Sequence, residues 1–156
     1  NEKVFEMPRK CPVCGADAVR EDGESAVRCI GIECPAKQYR NILHFASREA
    51  MNIKGLGDSI IEEFLNRELI KNIADLYTLN LDDIASLKKN GQKYAKKLID
   101  SINQSKSNEF YRVINGLGIR HMGVKAAKSV AKNFKNIDAV SFHCLSNICL
   151  NSCHKE

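Results

Sequence analysis

Four cysteines, Cys11, Cys14, Cys29 and Cys34, stand in "CPVCGADAVREDGESAVRCIGIECPAKQ" as C-x2-C, fourteen residues, then C-x4-C. Zinc takes four thiolates tetrahedrally, and two tight turns can each supply a pair. Pro12 and Gly15 give the first pair its turn, and Gly31 and Pro35 the second. Between them, "AVREDGESAVRC" reads as two short strands joined at Asp22-Gly23, the outline of a zinc ribbon. Four thiolates leave no open position for water, so a structural ion is expected. A redox C-x-x-C or two disulfides use the same residues. A redox motif, however, opens a helix after a strand, and Cys14-Gly15 leads into a hairpin instead. In small zinc modules the binding energy is folding energy, on the order of 10–16 kcal/mol in model peptides.

Three more cysteines, Cys144, Cys149 and Cys153, lie with His154 in the last thirteen residues. That composition admits a second metal site. C-x4-C-x3-C-H has no paired turns behind it, so thiols in an atypical tail, 144–156, are expected. Seven cysteines without a secretory signal suggest a reducing, cytoplasmic setting with metal ligands rather than disulfides.

The elements that must position these groups are helical. The chain has 156 residues, 44% hydrophobic and 28% charged, enough to bury a core. No apolar run approaches a membrane span. It opens at Asn1 without a methionine, as expected for a piece of a longer polypeptide, with 1–10 a linker from an upstream domain. The net charge of +5 is unevenly spread. Phe110 to Ile137 holds Arg112, Arg120, Lys125, Lys128, Lys132 and Lys135 with no acid, whereas acids outnumber bases from Ile53 to Asp75. Such a basic stretch either attracts nucleic acid or is a solvated face.

After the ribbon, 11–45, "KQYRNILHFAS" fits a short helix. One pattern then recurs through 46–143: "MNIKGLGDSIIEEFLN", "SLKKNGQKYAKKLIDSI" and "GIRHMGVKAAKSVAKNF". Each is a glycine turn followed by a helix with apolar spacing of three and four. The stripes are Ile60, Ile61, Phe64 and Leu65; Tyr94, Ala95, Leu98, Ile99 and Ile102; Val124, Ala127, Val130, Ala131 and Phe134. Upstream helices are expected from "REAMNI", "NLDDIASLKK" and "NEFYRVINGLGI", with Asp82 and Asn108 as N-caps.

A glycine turn lets a ligand approach the backbone, and the N–H groups opening the next helix attract phosphate together with its dipole. The first turn is followed by Asp58, Glu62 and Glu63, which oppose an anion. Lys89, Gly91, Lys93, Arg120, Gly123 and Lys125, with Lys128 on the third helix, are therefore the better candidates for DNA contact. A plain helical bundle with glycine in its turns accounts for the same pattern.

The ribbon running into "HFASREAMNIKGLG" and on to "LGIRHMG" resembles the zinc-finger and helix-hairpin-helix region of bacterial NAD-dependent DNA ligase, over roughly Phe5 to Val140. The resemblance implies a mainly α fold, a small four-cysteine zinc ribbon followed by tandem helix-hairpin-helix units, with Cys11, Cys14, Cys29 and Cys34 as zinc ligands. It puts Gly55, Gly57, Gly91, Gly118 and Gly123 on the hairpin glycines that grip duplex around a nick through minor-groove backbone contacts. It implies a ribbon that braces the end of a preceding oligonucleotide-binding domain against the helical domain. The family's K-x-D-G adenylation motif does not occur here, so NAD and Mg2+ belong to the parent enzyme and this stretch alone is expected to be non-catalytic. A fourth hairpin that could begin at "LSNI" is not continued by "CLNSCHKE". The expected role is sequence-nonspecific binding of double-stranded or nicked DNA. The alternative is a zinc-ribbon and helical adaptor for protein docking.

Overall fold

The computed structural model describes residues 7–21, 23–87, 91–134 and 136–139. Asp22, Lys89, Lys135 and the tail with Cys144, Cys149, Cys153 and His154 lie outside the described residues. Two strands, β1 (Ala18–Arg20) and β2 (Val27–Cys29), pair antiparallel with Val19 opposite Arg28. A bridge between Lys10 and Asp17 extends the ladder toward the first cysteine turn. Strands this short bury little on their own, which leaves the cysteines to hold the module.

Helix α1 (Pro35–Ala46) begins directly after the fourth cysteine, with proline at its first position, where its missing N–H costs nothing. Beyond it come α2 (Asp58–Asn66), a 3-10 turn (Ala74–Tyr77), α3 (Leu81–Ala85), α4 (Gly91–Ser105), α5 (Phe110–Gly116) and α6 (Val124–Asn133). The molecule is mainly α behind a small four-cysteine ribbon, as the sequence indicates. The core joins Ile42 and Phe45 of α1, Ile61 and Phe64 of α2, Leu76, Ile84, and Ala95, Leu98 and Ile102 of α4. The first two predicted stripes face this core. The third is thinner: Ala127 is fully buried, while Val130 and Ala131 are half-buried and Val124 is exposed.

Two local expectations fail. "REAMNI" is a turn, not a helix: Asn52 N–H returns to the Ser47 carbonyl at 2.8 Å, and Asn52 takes a left-handed φ of 51°. Its carbonyls find donors elsewhere. Arg112 Nη1 donates to Arg48 and Ala50, Asn115 Nδ2 to Glu49 and Asn108 Nδ2 to Met51. Side chains on and just before α5 thus satisfy groups that a helix would have paired internally. The helix preceding the first hairpin is therefore α1. Nor are Asp82 and Asn108 caps. The N-cap positions of α3 and α5 are Asn80 and Glu109, neither with a side-chain cap, and the Asn108 amide donates to Met51 instead.

Candidate metal centre and nucleic-acid interface

The two cysteine turns and the β-hairpin bring the sulfurs of Cys11, Cys14, Cys29 and Cys34 within 4.8 Å of one another. Cys11 and Cys34 Sγ are 4.0 Å apart, and Cys14 and Cys29 Sγ 3.5 Å. A tetrahedron with zinc–sulfur bonds of about 2.3 Å has edges of about 3.8 Å, so the spacing suits the ion. Both separations are far beyond the ~2.05 Å of a disulfide. Gly31 N–H donates to Cys29 Sγ at 3.3 Å. A Cβ on Gly31 would meet Ala16 Cβ at 3.0 Å and Cys14 Sγ at 3.2 Å, so a side chain there would press on the cradle and its neighbours would have to give by a few tenths of an ångström. The N–H groups of Cys14 and then Val13 hold the Cys11 thiol down to about 6. The Ala16 N–H pulls Cys14 the same way, but burial and the neighbouring thiols overcome it and push Cys14 up to about 12. Four thiols that cannot all ionise together unaided are the donor set for a dication, which removes that conflict. This is a structural zinc site, and it fixes the start of α1 through Cys34.

The glycine hairpins show what the repeat is. Counting back from the helix, the first and third share one backbone. Asn52 (φ 51°) corresponds to Gly118 (φ 63°), Gly55 (φ 91°) to His121 (φ 60°), and Gly57 to Gly123. In each, one loop hydrogen bond recurs, Leu56 N–H to Ile53 and Met122 N–H to Ile119. Gly57 and Gly123 are extended N-caps, and neither α2 nor α6 has a side-chain cap. A Cβ on either would meet nothing within 4 Å. The opening N–H groups of both helices are thus approachable, the arrangement that accepts phosphate oxygens.

Charge separates the two hairpins. Lys125 and Lys128 come after Gly123 and are exposed, and Lys128 Nζ lies 4.9 Å from the centre of the Tyr111 ring. Register-equivalent Ser59 and Glu62 come after Gly57. Asp58 accepts a 2.9 Å hydrogen bond from Tyr39, and that bond is the main reason the Tyr39 phenol is held above its ordinary value. Helix α4 pins the first hairpin: Tyr94 donates to the Gly55 carbonyl and Lys54 N–H to Ser101 Oγ, each at 2.7 Å.

The remaining candidates fall in different settings. Gly91 holds the same register as Gly57 and Gly123, four residues before a fully buried Ile61, Ala95 or Ala127. It is buried, however, and a Cβ there would lie 2.1 Å from the Ala85 carbonyl oxygen. Lys93 is exposed on α4, and Lys89 lies outside the described residues. Arg120 is ion-paired across the molecule with Glu21 and Glu24. Arg112, part of the basic stretch, is half-buried on backbone carbonyls. Sequence reasoning missed the braces Tyr94, Ser101, Asn108 and Asn115. The left-handed positions taken by Asn52 and His121 were hidden because no glycine marks them.

The matches to known proteins divide along these same parts. Residues 10–36 match the NAD-dependent DNA ligase C4 zinc finger domain. Residues 47–104 match a SAM-like helix-hairpin-helix tandem, and residues 112–148 a helix-hairpin-helix motif. Relatives named DNA ligase include those of Acetivibrio thermocellus, 53% identical over 142 residues and 90% of this chain, and Clostridioides difficile, 52% over 140 residues and 90%. That of Bacillus subtilis is 46% identical over 137 residues, 88% of this chain. The chain spans about a fifth of the length of these curated relatives, 21%, 21% and 20% respectively.

Proposed function

Because the chain belongs to the NAD-dependent DNA ligases, as their zinc-finger and helix-hairpin-helix region, we propose that it holds duplex DNA by its phosphate backbone. The observation that carries this reading is the recurrence of one uncapped hairpin, 52–57 and 118–123, with open glycine at each helix start and cations on the second. N–H groups and lysines of this kind read backbone rather than base edges, so binding is indifferent to sequence. Gly55, Gly57, Gly118, Gly123, Lys125 and Lys128 form the proposed contact set, with Lys93 at its edge. The longer protein would seal nicks between 5′-phosphate and 3′-hydroxyl ends in replication and repair, with NAD as the adenylate source. This region supplies grip and works in the cytoplasm. No described helix is long and apolar enough to cross a membrane.

The test is binding of the zinc-loaded chain to nicked and intact duplex of several sequences across a salt series. Phosphate contacts predict a log–log slope of roughly −0.9 per contact and equal affinity across sequences. A flat salt response overturns the reading. The docking alternative has one observation in its favour, on the ribbon alone: Val13, Ile30 and Ile32 are exposed, Ile32 at 91%. Exposed apolar side chains on so small a module suit a neighbouring protein surface, including another domain of the same ligase.

A further inference from the structure

Arg120 lies in the loop of the third hairpin, and the zinc ribbon claims its guanidinium. Nη1 pairs with Glu21 and Nη2 with Glu24, contacts that span up to 99 residues of sequence. Glu24 is held in turn by Arg28 Nε at 3.3 Å, so both acids flanking the β-turn converge on one arginine. A planar guanidinium held by two carboxylates fixes orientation as well as distance. The first hairpin has its own brace in Tyr94 and Ser101 of α4. The third hairpin has little burial to hold it: Leu117 is 42% and Ile119 48% exposed, and His121 is left-handed.

We propose that Arg120 is a positioning residue, a strut that docks the zinc ribbon onto the third hairpin and so couples the metal site to the hairpin's hold on DNA. The coupling to DNA rests on the function proposed above. The docking of ribbon on hairpin does not. In this arrangement two of the five guanidinium donors are engaged and two carboxylates offset the arginine's charge, so Arg120 serves the ribbon contact before any phosphate.

The experiment uses the zinc-loaded chain and three variants: Arg120→Ala, the pair Glu21→Gln with Glu24→Gln, and all three together. Backbone 15N relaxation reports whether the ribbon and the helical region tumble as one body. Shared tumbling in the parent chain, and a shorter ribbon correlation time in all three variants, is the expected result. The charge-swapped chain, Arg120→Glu with Glu21→Lys and Glu24→Lys, should restore shared tumbling. Unchanged tumbling in the variants overturns the strut. On nicked duplex, Arg120→Ala and the glutamine pair should each weaken binding about two- to five-fold, the scale of a partly exposed ion pair. Combining them should add nothing further, and the salt slope should stay the same. A loss confined to Arg120→Ala, with the slope shallower by about 0.9, makes Arg120 a phosphate ligand and overturns the proposal. If the parent chain binds no duplex at low salt, the DNA reading fails. The relaxation arm then decides the strut alone.

Discussion

Between Asn52 and Gly57, and again between Gly118 and Gly123, the chain takes the same two left-handed steps and reaches an uncapped helix. The helices so opened differ in charge: Asp58, Ser59 and Glu62 begin one, Val124, Lys125 and Lys128 the other. Between them in sequence, Gly91 holds the same register but is walled in by the Ala85 carbonyl. One sequence signal, a glycine before a helix, therefore serves two physical ends. At Gly57 and Gly123 a Cβ would meet nothing within 4 Å, and the start of the helix stands open. At Gly91 the missing Cβ lets α3 and α4 meet.

The largest expected effect tests whether all three hairpins stand without the ribbon. Cys29→Ser, or removal of zinc by a chelator, should unfold the ribbon and leave most helical circular dichroism intact, because the helical core from Ile42 to Ile102 contains no metal ligand. Loss of helical signal in parallel would mean that the hairpins depend on the metal as well. Next comes the walled-in glycine. Gly91→Ala puts a methyl 2.1 Å from a backbone oxygen and 2.8 Å from its carbon, atoms that cannot rotate away. Overpacking of this kind costs about 2–3 kcal/mol, read as a lower denaturation midpoint. A neutral Gly91→Ala would erase the contrast with Gly123.

How much of the molecule is legible in its sequence depends on the kind of force. The four zinc ligands are readable because metal coordination is local and spacing-dependent, and the structure gathers their sulfurs. The helical stripes are readable because burial tracks period: Ile61, Phe64, Ala95 and Leu98 are buried as their spacing requires. "REAMNI" misleads because its fate is set by Asn108, Arg112 and Asn115, which lie about sixty residues downstream at separations of 57 to 66. The part played by Gly91 is likewise invisible, since its crowding comes from the carbonyl end of α3. Net charge misleads in the same way. Arg112 and Arg120 count toward a basic stretch, yet Arg112 turns its guanidinium to backbone carbonyls and two carboxylates offset the charge of Arg120.

A smaller effect separates binding from folding at the open glycine. Gly123 has ordinary extended backbone and free space at its Cβ, so Gly123→Val should cost only about 0.5–1 kcal/mol of stability, the preference for glycine over valine at an N-cap. The isopropyl group would stand where a phosphate must approach, and affinity for duplex should fall about ten-fold, about 1.4 kcal/mol of binding. Equal losses of stability and affinity would place Gly123 with Gly91, as a packing residue, and leave the plain-bundle explanation of the repeat standing.

The smallest effect transplants charge from one hairpin to the other. Glu62 occupies the position on α2 that Lys128 occupies on α6, five residues past the open glycine, and both are exposed. If the backbones are equivalent and only charge separates them, Glu62→Lys should tighten duplex binding about two- to five-fold at low salt. It should also steepen the salt slope by up to about 0.9, one more phosphate contact. Glu68→Lys supplies the control, since Glu68 is exposed beyond the C-terminal end of α2 and far along the helix from Gly57. It makes the same change in net charge without placing it at the helix start. A gain specific to Glu62→Lys puts the first hairpin against the duplex and identifies its acids as the groups that weaken it. Equal gains from both substitutions would reduce the effect to long-range attraction. No gain from either would mean that the first hairpin does not meet DNA, and that its shape serves the contact with Tyr94 and Ser101 of α4.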